Sequence, residues 1–453
     1  LMKNFILTFV ALSALSCSFD NKTGIWKDAS DIPVNNQEVT SIEKNNKKIR
    51  YEDVFTKSKM FDEEKNAPNE LIFQLDNQFK TNNWLEQYGD KTNNVSNFSY
   101  SGNKTLLSKS SKLSKLSLNK NIVFHNDSLI TFDHKGRIFI YSLKLRKKIF
   151  EYNFYKKSYK KFKKKIYLVV NNNVLYAADN LGYLYAIDLN NKSLIWAKNY
   201  GIPFRSNIKI VDEQILLATQ DNIIYSINLK TGASNWQFAT NQTFLKSDFH
   251  NNFVIDKPKE NLFFLNTSGE LYSINYANKK INWMLNFRGS ALPGDTRLFL
   301  SQPIIVKKDN LIVSTEEAIS HYNTITSIRT WSFPSKVILK PIITSNYTYI
   351  FTSNDLLICL SNKTGDVLWS KNIFNDIREK KTINKIGKFH DLKIANNELN
   401  LFSKNGYLLS FNYANGDLEY IKKISKNGIS SEAVFVKDNM YLLDNNNRLL
   451  KFN

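Results

Sequence analysis

Ten residues separate a strand residue, usually small or polar, from an aromatic one, and this interval recurs seven times: Ile140/Phe150, Ala186/Trp196, Ser226/Trp236, Ser273/Trp283, His321/Trp331, Cys359/Trp369 and Ser410/Tyr420. Two positions after each first member stands Ser142, Asp188, Asn228, Asn275, Asn323, Ser361 or Asn412, followed by a turn and a short approach to the ring. A repeat of this kind decides the fold before any single residue does.

One unit can be read whole between Leu216 and Phe238. Leu216 to Thr219 is a short apolar run that meets a turn at Gln220-Asp221-Asn222. The run Ile223 to Ile227 then meets Asn228 to Gly232, and the Trp236 segment follows. Runs this short, bounded by Asn, Asp and Gly, are strands rather than helices. Seven similar hairpins lie at Asp133–Gly136, Asp179–Gly182, Asn266–Gly269, Thr315–Glu317, Ser353–Asp355, Lys404–Gly406 and Asp444–Asn447.

Eight hairpins but seven aromatic strands leave one unit incomplete. Its hairpin ends at Lys451-Phe452-Asn453, and the missing strand is expected from the other end of the chain, at Asn82 to Tyr88 around Trp84. Four strands per unit at this period make an all-β, eight-bladed β-propeller of antiparallel blades, closed by an N-terminal strand that completes the last blade. Closure removes the sheet edges that invite aggregation. The docking aromatics are then Trp84, Phe150, Trp196, Trp236, Trp283, Trp331, Trp369 and Tyr420. A stacked solenoid would not explain why the two ends are complementary halves of one unit.

The N-terminus reads as an export signal over residues 1–16. Lys3, the apolar run Phe5 to Leu15 and the small residues before Cys17 give the charged, apolar and small order of such a segment, too short to span a bilayer. Ala14-Leu15-Ser16-Cys17 resembles a bacterial lipobox, which implies lipidation at Cys17; ordinary cleavage is the alternative. Residues 17–74 are polar and without repeat, and read as a largely disordered tether spanning roughly 40 Å. The alternative is that part of this stretch folds onto the propeller through Tyr51, Phe55 and Phe61. The propeller is assigned to residues 75–453.

With only Cys17 and Cys359, a lipidated Cys17 leaves no disulfide, and Cys359 reads as a small buried residue. The net charge of +21 is spread over the chain beside abundant Asn, and an exported protein meets little nucleic acid. The densest stretches, Lys115 to Lys120 and Lys156 to Lys165, read as solvated loops, with contact to anionic lipid as the alternative. His125, His134, His250, His321 and His390 show no metal-ligand spacing, and neither a phosphate loop nor a nucleophile elbow is present. Catalytic residues, metal and cofactor are therefore expected to be absent.

The unit Ser226 to Trp236 and its counterpart Cys359 to Trp369 resemble the tryptophan-docking repeat of pyrroloquinoline-quinone-type propellers. Two exported groups carry that repeat, the quinoprotein dehydrogenases and the BamB family of outer-membrane assembly lipoproteins. Three features favour the latter: Cys359 has no vicinal thiol, a lipobox and tether precede the repeats, and Met284-Leu285-Asn286-Phe287-Arg288-Gly289-Ser290 is similar to the BamB segment of alternate apolar residues followed by Arg-Gly. The resemblance implies a lipid-anchored scaffold on the periplasmic face of the outer membrane. It would dock the POTRA domains of BamA through Leu285, Phe287, Arg288 and Gly289, contact other assembly subunits and assist β-barrel precursors. A quinone-dependent dehydrogenase and a cell-wall or carbohydrate-binding propeller are the alternatives. Alternation puts Leu285 and Phe287 on one strand face, with Arg288 at its end able to grip a carboxylate or carbonyl; packing within the sheet is the competing account. In the family an acidic loop of the next blade also contributes, whereas the corresponding Phe333 to Val337 has no carboxylate.

Overall fold

The ten-residue interval is a pair of facing residues. In the computed structural model each of the seven pairs sits directly opposite across the third and fourth strands of one blade, as Ser226 opposite Trp236 and Cys359 opposite Trp369. A β-bulge follows every pair, so that Ile227 faces Ser234 and Asn235 is the extra residue. The bulge sharpens the local twist and makes the interval ten. Five of the seven first members are small and fully buried, Ala186, Ser226, Ser273, Cys359 and Ser410, while Ile140 and His321 are larger and nearly as buried. The polar residue two places on closes the turn, since Asn228 Oδ1 accepts the backbone N–H groups of Lys230 and Thr231, both at 3.0 Å.

The structure describes residues 59–155, 159, 161–242, 251–288, 298–377 and 380–453, and the backbone of one two-stranded pairing, Ser18–Phe19 with Trp26–Lys27. That pairing belongs to a first compact unit, residues 1–57; the second spans Ser58–Asn453. The second unit is an eight-bladed β-propeller of four-stranded antiparallel blades. Blade 1 comprises Val123–His125, Ser128–Phe132, Arg137–Ser142 and Lys147–Asn153, from the axis outward. Blades 2 to 7 begin with the innermost strands Ile166–Asn171, Lys209–Val211, Asn252–Asp256, Ile305–Lys307, Ile342–Ile343 and Phe389–Ala395. Blade 8 takes three strands from the C-terminus, Val434–Val436, Asn439–Leu443 and Leu449–Phe452, and its outermost strand, Leu106–Lys109, from before blade 1. Second and third strands alternate apolar residues that fill the spaces between blades, and outer strands are half exposed.

Adjacent blades are joined by the aromatic residues. The indole N–H of Trp196, Trp283, Trp331 and Trp369 donates to a turn carbonyl of the following blade, at Leu229, Thr324, Asn362 and Tyr413, over 2.8 to 3.3 Å. Beneath the Trp331 ring lies Gly365, with φ of 78°, where an added Cβ would come 2.6 Å from the ring. Glycine at that turn supplies both the left-handed backbone and the space.

The ring closes through an N-terminal strand, but through Leu106–Lys109 rather than Asn82 to Tyr88. Trp84 lies against blade 1, its backbone exchanging two 2.8 Å hydrogen bonds with Phe124 and its ring 5.4 Å from Phe98. At 4% exposure it is buried on the axis instead of half exposed on an outer edge. The reason is the demand of the innermost strands, whose inward N–H and C=O groups need partners that water in a narrow channel would supply poorly.

Residues 81–101 meet that demand as a strap passing all eight blades. Thr81 accepts from Lys437 in blade 8, Trp84 pairs with blade 1, and Leu85 accepts from Val170 in blade 2. Lys91 accepts from Ile255 in blade 4 and Thr92 from Val306 in blade 5. Asn94 exchanges bonds with Ile343 of blade 6 at 2.8 and 3.0 Å. Phe98 donates to Ile394 of blade 7, and Ser101 returns to blade 8 at Asp438. Blade 3 is met by side chains: Lys209 donates to Glu86 (2.8 Å), the Asp90 carbonyl (2.8 Å) and Asn93 (2.7 Å).

Part of the stretch read as tether lies on the propeller. Phe61 N–H donates to Pro334 and its ring is 5.1 Å from Phe333, Lys65 bridges Ser370 on the outer strand of blade 6, and Phe73 packs 5.1 Å from Tyr347. Tyr51, Phe55 and Cys17, with the expected signal segment, lie outside the described residues.

Candidate functional site

The outermost strand of blade 4, Lys280–Asn286, carries the expected binding segment. Its edge is open to solvent, and the bulge after Ser273 shifts which residues face out. Ile281 and Met284 are exposed at 46% and 48%, while Trp283, Leu285 and Phe287 turn toward blade 5 and are half buried against its apolar residues. The Phe287 ring meets Tyr322 edge-on, 5.7 Å away at 82°, and its N–H donates to Gly269 at 2.8 Å. Leu285 and Phe287 thus share a face, as alternation requires, and that face anchors the segment between blades. Arg288 follows on an Asx turn, its N–H donating to Asn286 Oδ1 at 2.9 Å. Gly289 lies outside the described residues.

Beside this segment is an open cavity of about 200 Å³, lined by Phe287, Arg288, Leu298, Phe299 and Leu300 and by the blade 5 hairpin Thr315 to Glu317. Glu316 and Glu317 therefore place carboxylates on the same rim as Arg288. Glu316 accepts from Lys336 at 3.1 Å, which ties the Phe333 to Val337 connection, itself without a carboxylate, to the acidic hairpin beside it. Ring geometry brings the two loops side by side although about thirty residues separate Arg288 from Glu316 along the chain. Arginine, two carboxylates and the exposed side chains Leu298 and Leu300 form a mixed apolar and charged rim of the composition found at protein interfaces, and the exposed Met284 and Ile281 lie along the strand that leads to it. The exposed pair Ile281 and Met284 escaped sequence reasoning, although the bulge implied by the ten-residue interval was the signal for it.

The axis, where a propeller has room for a ligand, holds the strap instead. What remains there is a cavity of about 300 Å³ bordered by Trp84, Phe98, Asp90 and the ion pair Lys307–Asp76. Cys359 is fully buried opposite Trp369, and burial pushes its thiol well above the usual range. His321, stacked on Trp331 at 5.3 Å, is held down to about 4 by burial. His125 bonds Asn173 at 2.6 Å and His390 the Ser431 carbonyl at 2.9 Å, both packing contacts between blades. His250 lies outside the described residues, among which no cluster of His, Cys, Asp and Glu could hold a metal.

Comparison with known proteins gives a consistent result. The profile of a family described as outer membrane protein assembly factor BamB matches residues 153–371 and 259–453, more than half of the chain. The outer membrane protein assembly factor BamB of Moranella endobia is 22% identical over 304 residues, covering 61% of this chain and 71% of that protein. The crystal structure of BamB from Moraxella catarrhalis superposes with a TM-score of 0.59 at 12% identity, over 77% of this chain and 99% of that one. Quinohemoprotein alcohol dehydrogenase from Comamonas testosteroni superposes comparably, with a TM-score of 0.61 at 9% identity over 83% and 81% of the two chains. At such identities the structural likeness establishes the fold, and the profile match establishes the family.

Proposed function

The chain belongs to the family of the outer membrane protein assembly factor BamB, and from that membership we propose a non-enzymatic scaffold of the β-barrel assembly machinery. It binds the POTRA domains of BamA and assists assembly and insertion of β-barrel proteins, working at the periplasmic face of the outer membrane with Cys17 as its lipid anchor. Docking uses the blade 4 edge: Arg288 and the Gly289 that follows it make the directional contact, Ile281 and Met284 supply exposed apolar area, and Leu285 and Phe287 hold the segment in place.

The observation that carries this reading is the placement of Arg288 on an open rim between an exposed apolar strand and the carboxylates of Glu316 and Glu317. Residue types of this kind concentrate interface energy. The filled axis supports a scaffold over a quinone-dependent dehydrogenase, because the strap already occupies the enclosed, polar space a cofactor would need.

The test is affinity capture of the tagged protein from detergent-solubilised envelopes, with Arg288→Glu in parallel. Recovery of BamA that is lost in the variant supports the reading; absence of BamA from both samples overturns it. Addition of pyrroloquinoline quinone to the purified protein separates the rival class, for which bound quinone absorbance and dye-linked alcohol oxidation are expected.

A further inference from the structure

Between blades 1 and 2, at the end of the ring where the hairpins joining second and third strands emerge, lies a third and larger cavity of about 560 Å³. Besides Gln87 of the strap, three separate stretches wall it: the approach to blade 1 (Ser117 to Asn121), the blade 1 hairpin at His134, and the approach to blade 2 (Lys163 to Lys165). Backbone hydrogen bonds stitch these walls together. His134 N–H donates to the Ser117 carbonyl at 3.2 Å, and Lys164 N–H donates to the His134 carbonyl at 2.8 Å. The cavity is therefore built into the fold rather than being a gap between loose loops.

Its lining is strongly asymmetric in charge. Lys120, Lys163 and Lys165 are exposed at the cavity, and none of the described residues lining it is Asp or Glu. Lys164 serves the wall itself: 2% exposed, it donates to the Phe162 carbonyl at 2.8 Å and places its ammonium 4.8 Å from the Tyr155 ring. The floor is apolar, formed by the buried Leu118, Phe132 and Ile166, and Phe162, 58% exposed, stands beside Lys163. A volume of this size suits a small ligand. Several cations in a concave wall whose described lining residues include no carboxylate create a focused positive potential.

The cations favour an anion that can use more than one of them. No arginine lines this cavity among the described residues, so recognition is by point charges rather than by a planar fork. Compact ammonium groups approaching from different walls suit a tetrahedral phosphate, which presents up to three acceptor oxygens and more than one charge. We propose that this cavity binds a phosphate ester, its phosphate between Lys120 and Lys163 and its organic part over Leu118, Phe132 and Ile166. The chemistry is shared by soluble phosphate esters and phospholipid headgroups.

Titration calorimetry of the full chain with glycerol 3-phosphate and with short-chain dihexanoyl phosphatidic acid tests the proposal, with dihexanoyl phosphatidylcholine as the neutral-headgroup control. Binding of either anionic probe is expected, weakening as salt rises. The double variant Lys120→Glu/Lys163→Glu should lower affinity at least tenfold, whereas reversal of the distant exposed Lys230 and Lys280 should not; thermal melting checks that each variant folds. Equal affinity for both anionic probes identifies a soluble ester as sufficient, and binding of the phosphatidic acid alone identifies a lipid headgroup. Absence of binding by both anionic probes, equal binding of the phosphatidylcholine, or undiminished affinity in the double variant would overturn it.

Discussion

Lys209 Nζ lies 2.8 Å from the Glu86 carboxylate inside the ring, with the lysine side chain wholly buried and the glutamate nearly so. One residue belongs to the innermost strand of blade 3 and the other to the strap that precedes blade 1. All three ammonium hydrogens are used, on Glu86, the Asp90 carbonyl and Asn93. The pair therefore measures whether the strap is seated. Breaking a buried pair from one side leaves an uncompensated charge, so Glu86→Ala should lose about 3 kcal/mol or more. Glu86→Leu combined with Lys209→Met should lose less than either single change. Urea denaturation of the native protein, Glu86→Ala, the two single changes and the double variant reads this directly, and an unaltered midpoint for Glu86→Ala would show that the strap does not hold the axis.

Blade docking can be tested at Trp331. Its indole N–H donates to Asn362 at 2.8 Å, and Trp331→Phe leaves that carbonyl unpaired at a cost of about 1–3 kcal/mol. Gly365→Ala should be more damaging, because the new Cβ meets the Trp331 ring at 2.6 Å on a backbone with φ of 78°. Calorimetric melting should rank Gly365→Ala below Trp331→Phe; the reverse order would remove the close approach from the explanation of the repeat.

His321 should make the fold acid-sensitive. Burial lowers its imidazole from 6.5 to about 4, so the unfolded chain takes up a proton in that window which the folded chain refuses. Its contribution is then complete above pH 6.5 and declines as the pH falls toward 4, by about 2 kcal/mol between pH 7 and pH 5. Denaturant midpoints across that range should fall less steeply for His321→Gln than for the native protein. Parallel slopes would mean that the imidazole is hydrated in the fold.

At the blade 4 edge, contact and support should separate. Arg288→Ala and Met284→Glu should weaken capture of the POTRA domains by about thirtyfold or more while leaving the melting temperature unchanged, as expected of an interface anchor near 2 kcal/mol. Leu285→Ala should lower the melting temperature as well, since Leu285 packs toward blade 5. Biolayer interferometry with purified POTRA domains, paired with thermal melts, distinguishes the two patterns; equal loss of stability in all three variants would make the edge purely structural.

Local chemistry was legible wherever an element satisfies its needs within a few residues. The ten-residue interval, the Asx turn at Asn228 and the small residue at Ser226 belong to one hairpin and its bulge, so the number and type of blades could be read directly from their recurrence. The alternation of Leu285 and Phe287 was legible for the same reason. The bulge that turns Ile281 and Met284 outward was encoded in that spacing too, though it shows only when the strand is paired.

What tertiary structure alone decided are the contacts between residues far apart in the chain. Trp84 satisfied the aromatic pattern of an outer strand, yet it is buried on the axis while Leu106–Lys109 closes the ring, because the inward backbone groups of eight innermost strands needed partners. Glu316 and Glu317 joined Arg288 only when the ring set blade 5 beside blade 4, and Lys120 met Lys163 only when two blade approaches were stitched through His134. The repeating unit and its count follow from residues close together in the chain, since hairpin geometry is a short-range property. The strap, the charged rim and the basic cavity depend on where a closed ring places distant segments, and no spacing along the chain records that.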